Sequence, residues 1–370
     1  MKANVKQSLR RLRSFGFSIV ELMVAILIGL IILAGVIQVV VTSKTTFLGQ
    51  EEMSFIQENA RYAMDLIGKD LQGAGYFGCA GNAASVALVA RVDADSALLL
   101  GPEPIRGFEG GATTAPYPAD YPSDKLWKIY QPGSTTVQDY PDSFVVRGAA
   151  GAQYSISQTT DPATSNTVFT TTAAHSFKAG EYIALVAEDC RRVGVVRAAT
   201  AVEGSTTFSL AAGTSVCPGP IKPALDRGLI CTQECSCTGE GMNQLYLPGS
   251  VAMPYLSHAY YIADSTALPG VPALKRMVLR DGSGKEEELA LGVEDMDLLY
   301  GILDSGNLRY VKASAVGDWN KVVAVQVSLL MRSQAPSSVD TGSREHLEND
   351  YNDRFMRQVV TSTFRLRNRI

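Results

Sequence analysis

The first residue of this 370-residue chain whose chemistry is out of place is Glu21. It is the lone charge in the apolar run from Phe17 to Val41, where Leu22 to Ile37 is uninterrupted by anything but apolar residues and Gly. An acid in hydrocarbon costs about 2.5–3.5 kcal/mol on insertion scales, so it marks a function and calls for a partner. The second chemical group is Cys79, Cys190, Cys217, Cys231, Cys235 and Cys237. An even number in an exported chain admits up to three disulfides, with 15 possible connectivities. The Cys-x-x-x-Cys-x-Cys cluster at 231–237 also invites a metal reading, but its further ligands, Cys217 or Cys190, are irregularly spaced, and we expect no metal and no cofactor. The three histidines, His175, His258 and His346, are scattered. No Gly-x-Ser-x-Gly, His-Glu-x-x-His or phosphate loop occurs; Gly284-Lys285 lacks both the earlier glycine and the following Ser or Thr. We expect no enzyme.

The element that must carry Glu21 is a helix. About 25 apolar residues at ~1.5 Å each cross a bilayer. The run exceeds a signal-peptide h-region, and no A-x-A-like site follows it. Lys2, Lys6, Arg10, Arg11 and Arg13 precede it without an acid, a positive cytoplasmic flank, leaving 28 basic against 37 acidic side chains, −9, on the rest. That balance argues against a general grip on nucleic acid. Past Val41 the pattern turns amphipathic, with Leu48, Phe55/Ile56, Ala60, Ala63, Leu66/Ile67, Leu71 and Ala74 at spacings of three and four. Gly73, Gly75 and Gly78 then stop the helix.

After Cys79 the chain reads as β. Strands are expected at Ser143–Arg147, Thr167–Thr171, Tyr182–Val186, Val193–Ala198, Thr206–Leu210, Ala259–Ile262, Leu274–Leu279, Glu287–Leu291, Leu308–Val311, Val322–Met331 and Gln358–Leu366. Asp281-Gly282-Ser283-Gly284 is a hairpin turn between two of them. Residues 101–142, with seven of the sixteen prolines, read as an extended surface excursion, and 334–350 as a polar loop. In the last strand Arg365, Arg367 and Arg369 alternate with Leu366 and Asn368, which sets three guanidiniums on one face, either solvated or docked on acidic groups of a neighbour. The fold class is therefore α+β, a long N-terminal helix on an antiparallel β-rich head.

Gly16-Phe17-Ser18-Ile19-Val20-Glu21 resembles the type IV prepilin processing site. The resemblance implies that a prepilin peptidase cuts after Gly16 and that Phe17 becomes an N-methylated first residue. Its ammonium then lies about one helical turn from Glu21, which neutralises the terminus of a neighbouring subunit in the filament. One pair replaces two poorly solvated charges, so unpaired subunits are penalised. The rival is a plain signal anchor with a tolerated Glu. Where many major pilins carry Pro at the twenty-second mature position, this chain has Gln38.

Further stretches resemble the PilW-type minor pilins. They are Ala60-Arg61-Tyr62-Ala63-Met64 with Asp70 to Cys79, Leu291 to Met296 leading to Tyr300-Gly301, Trp319 to Val325 ending in Leu329 to Ser333, and Thr363 to Arg369. They leave 85–250 unaccounted for. The resemblance implies four parts: a cleaved leader (1–16), a membrane or filament-core half-helix (17–44), an amphipathic half (45–75) and a periplasmic head (76–370). It implies an inner-membrane subunit, head in the periplasm, that joins other minor pilins and the major pilin at the start of a filament and stays at its tip, in some systems with a PilY-type adhesin. The alternatives are a type II secretion pseudopilin of the J type, or an adhesive or DNA-contacting tip module in residues 85–250.

Overall fold

A computed structural model describes residues 18–80, 85–88, 103–111, 126–160, 167–210, 246–280, 283–304, 306–336 and 343–369. Helix α1 runs Ile19–Gly73. The chain divides into two units, up to Glu51 and from Glu52 on. In the first unit the apolar side chains from Ile19 to Val41 are all exposed. In the second, α1 buries Ile56, Ala60, Ala63, Met64, Ile67, Gly68 and Leu71, a stripe at helical spacing. The chain turns off the helix at Gly75, whose φ of +70° favours glycine and whose N–H donates to Arg147 O at 2.8 Å.

The larger sheet has twelve strands: β1 (Ser85–Leu88), β2 (Ile105–Phe108), β5 (Ser143–Ala149), β6 (Tyr154–Thr160), β7 (Thr167–Thr171), β8 (Tyr182–Val186), β9 (Arg192–Arg197), β10 (Thr200–Ala201), β11 (Thr207–Leu210), β12 (Val251–Asp264), β13 (Pro272–Arg280) and β14 (Ser283–Leu291). Its hub is β12, whose first residues pair with β6 and β8 and whose later ones pair with β5 and β13. The smaller sheet, in the order β16-β15-β17-β20, holds β15 (Val293–Asp304), β16 (Asn307–Val311), β17 (Val322–Arg332) and β20 (Arg357–Arg365). Two hairpins complete the described strands, β3 (Ile129–Tyr130) with β4 (Val137–Asp139), and β18 (Ser343–His346) with β19 (Asn349–Asn352). The main core joins the α1 stripe to both sheets through Phe144, Tyr260, Leu298, Tyr300, Val327 and Leu329. Gly68 lets this happen: a Cβ there would stand 2.5 Å from Phe364 Cε1.

Most expected strands are present within a residue or two, including the β13–β14 hairpin. Several readings need correction. The excursion at 101–142 is partly core, since Ile105, Leu126 and Ile129 are buried and Leu126 bridges to Ala263. Of the loop at 334–350, residues 337–342 lie outside the described residues, and from Ser343 on it forms the β18–β19 hairpin, which continues to Asn352 and whose Tyr351 packs with Ile129 and Leu330. Strand β15 was legible only as a motif, and β6 (YSISQTT) is too polar to announce itself. The three arginines do not share a strand face: β20 ends at Arg365, Leu366 is buried, and 367–369 form a 3-10 turn.

Carboxyl groups tie the outer layers to the small sheet. Asp142 accepts N–H bonds from Gly110 at 2.7 Å and Leu298 at 2.9 Å. Asn349 on the outer hairpin donates to Asp295 (3.1 Å) and Asp139 (3.3 Å). Burial pushes Asp142 up to about 7, against the pull of those two N–H donors. Burial, with Asp139 beside it, holds Asp295 well above the ordinary carboxylate range, and burial also raises Asp297. Two measurements follow. Below about pH 4 Asp142 is protonated in both states; between about 4 and about 7 only the unfolded chain releases the proton, so stability falls as pH rises and levels off above 7. Chemical denaturation of Asp142→Asn across pH 4.5–8 should show a shallower loss, by on the order of 3 kcal/mol, and an unchanged slope would contradict the assignment. Gly68→Leu should destabilise the head by about 1–3 kcal/mol, and pairing it with Phe364→Ala should recover part of that loss.

Candidate functional site

Glu21 lies in the first turn of α1, where a negative charge is favoured by the helix dipole. The turn begins at Ser18, whose carbonyl accepts Leu22 N–H (3.1 Å) and whose Oγ accepts Val20 N–H (3.3 Å). Glu21 is exposed, as are Ile19, Val20, Leu22 and Met23 beside it. Gly16 and Phe17 lie outside the described residues. α1 is the one helix among them long and apolar enough to cross a membrane. Polarity returns on one face at Gln38 and Thr42, where Thr45 and Thr46 donate their hydroxyls back to Thr42 O, both at 2.9 Å.

The junction of helix and head carries a cluster that sequence reading placed only as a motif. Asp70 Oδ2 lies 2.5 Å from His258 Nδ1, accepts the Tyr260 hydroxyl at 2.5 Å, and is 3.4 Å from Arg276 Nη1. Arg276 in turn donates to Glu287 at 2.8 Å. Burial pushes the Asp70 carboxyl up, but the His258 hydrogen bond and charge, with Tyr260 and Arg276, outweigh it and hold it below the usual range. Burial, and then Asp70, raises the Tyr260 phenol. An Asp-His-Tyr set can relay protons, yet no Ser or Cys stands among these contacts to use one. The cluster fastens α1 to β12, β13 and β14 across up to 206 residues of sequence.

Cys79 and Cys190 form a disulfide with Cα atoms 5.5 Å apart, closing 111 residues of chain. It ties the segment leaving α1 to the turn between β8 and β9. Cys217, Cys231, Cys235 and Cys237 lie outside the described residues. Among those described, no group of His, Cys, Asp and Glu is arranged to hold a metal. His175 is buried with Phe177 and Phe208, its Nε2 3.0 Å from Thr207 O, and His346 neighbours Tyr351.

A second buried ion network lies in the smaller sheet. Arg357 Nε donates to Glu294 at 2.5 Å and its Nη2 to Asp353 at 2.8 Å, while Arg332 Nη1 is 3.4 Å from Glu294. The Arg332 guanidinium stacks 4.2 Å from Phe355, and that of Arg357 4.1 Å from Tyr351. Burial pulls Arg357 down, but its bonds to Asp353 and Glu294 prevail and hold it above its ordinary value; for Arg332 burial prevails and lowers it. Glu294 and Arg332 belong to two of the quoted motifs. Their partner Arg357 was missed, because nothing local in β20 signals a buried arginine. Removing one member leaves an uncompensated charge, which commonly costs about 3–5 kcal/mol.

Comparison with known families gives two matches. Residues 259–368 match the family described as type IV pilus-assembly protein W, PilW. They span most of the β12–β20 region and hold Arg276, Glu287, Glu294, Arg332, Asp353 and Arg357. Residues 11–37 match the prokaryotic N-terminal methylation motif, which covers Gly16, Phe17 and Glu21. No curated protein and no solved structure shows significant similarity. With the methylation motif at one end, the PilW region at the other and an exposed apolar half-helix leading to a β-rich head, the chain is similar to the PilW-type, prepilin-like minor pilins over those two segments.

Proposed function

We propose that this pilin is cut after Gly16 by a prepilin peptidase, methylated at Phe17, and held in the inner membrane with its head in the periplasm until it joins a filament. It enters with other minor pilins at the start of assembly, ahead of the major pilin, and stays at or near the tip. A PilY-type adhesin is a further partner there. The observation that carries the reading is the exposed Glu21 on the wholly exposed apolar part of α1, Ile19 to Val41, within the methylation motif. Alone in lipid this carboxylate costs a few kcal/mol, which is relieved when a neighbour's ammonium reaches it. Methylation leaves that charge in place, so the pairing survives it. The head does no chemistry in this scheme; its buried ion networks and disulfide keep a rigid body on the helix, as a structural family requires.

Two substitutions test it. Gly16→Leu should leave the leader attached, visible as slower gel migration, and should remove the protein from sheared pili. Glu21→Ala should insert in the membrane at the parental level, since it removes a charge from an apolar span, but lower the share of protein recovered in pili several-fold. Parental recovery would contradict the pairing.

A further inference from the structure

The smaller sheet ends at β20, which pairs only with β17 among the described residues. Leu366 N–H donates to Val323 O and Ser333 N–H to Met356 O. In an antiparallel ladder the residues that bond inward alternate with those that bond outward. The even positions of β20 therefore face β17, and Arg357, Val359, Thr361, Thr363 and Arg365 direct their N–H and C=O groups to the open edge. The register with β17 runs for nine pairs without a shift. Natural edges of this length are blunted by charge, proline or a bulge. The comparable free edge on β14 is guarded by Lys285, Glu286, Glu287 and Glu288 in succession. From Gln358 to Phe364, β20 has no charge, no proline and no bulge.

Beside this edge runs an open groove of about 480 Å³ between α1 and β20. Ala60, Met64, Val360 and Phe364 line it, with Arg61 and Asp65 at its rim. Gln358 also lines it, and its buried Oε1 has no donor among the described residues. A strand laid along β20 would send every second side chain into this groove and the others over Val359, Thr361 and Thr363.

We propose that β20 is a strand-addition site for an extended segment of a different pilus subunit, apolar or hydroxyl-bearing in its middle and carrying a carboxylate near Arg365. The inference rests on the reading of the chain as an assembly subunit. Only another backbone satisfies a row of outward N–H and C=O groups, which is what makes the occupant a strand. A second copy of β20 is disfavoured, because that strand carries no acid to meet Arg365. Arg365 and Arg367 are exposed at the end of the edge, which selects an acidic partner.

The test places a photo-crosslinking p-benzoylphenylalanine at Val359 in the full-length chain, expressed in its own pilus system. The expected adduct joins a different polypeptide, and its sequenced peptide carries Asp or Glu. Thr363→Pro removes an outward N–H group and leaves the β17 ladder and the Ser328–Thr361 hydroxyl contact in place, as proline on an edge can. It should keep the parental melting temperature and lose the adduct severalfold. Arg365→Glu should weaken it without touching the backbone. An adduct only with a second copy, equal yield in the Arg365→Glu variant, or no adduct from a chain that is cleaved and present in pili would overturn strand addition alone. A chain that keeps its leader and is absent from pili would overturn it together with the assembly reading.

Discussion

A carboxylate in an apolar helix sets the terms for the rest of this molecule. Glu21 stands with Ile19, Val20, Leu22 and Met23 exposed around it, and nothing in the described chain covers that face. Lipid covers the apolar side chains but leaves the charge unpaired. A bundle of like helices covers both, provided each brings an ammonium at the right height. In the proposed scheme the favoured state for such a segment is an assembly, and a new N-terminus at Phe17, one turn away, supplies the missing charge.

In the proposed scheme a helix drawn from lipid into a filament must take its head with it. The contacts near residues 68–79 meet that need by several independent means. Asp70 holds three groups from β12 and β13, Gly68 admits Phe364 against the helix, and Cys79 is bonded to Cys190. Each partner is distant in sequence, so the attachment forms only when both sheets have folded. The Glu294-Arg332-Arg357-Asp353 network does the same between β15, β17 and β20. Its two acids and two stacked arginines are a costly core, and Glu294, shared by both arginines, specifies one register for the strands that carry it.

The helix was legible because its signals are local. An apolar run, then three-and-four spacing to Leu71, then glycines define it without reference to the head. Buried strands such as β8 and β17 were legible for the same reason. Strand β15 was not, because Glu294, Asp295 and Asp297 interrupt its apolar run, and the layer that covers Asp295 comes from a polar hairpin some fifty residues on. Of the pairing reading, Glu21 could be seen from its surroundings in sequence. The clamps could not: His258 is 188 residues from Asp70, and only folding brings them within 2.5 Å.

The account turns on what stands at the N-terminus when Glu21 reaches a filament. Intact-mass spectrometry of the protein taken from pili reads it directly. The pairing scheme predicts a chain that starts at Phe17 and carries one added methyl group. A protein in working pili that still begins at Met1 would place the nearest terminal amine some twenty residues from Glu21 and contradict the scheme.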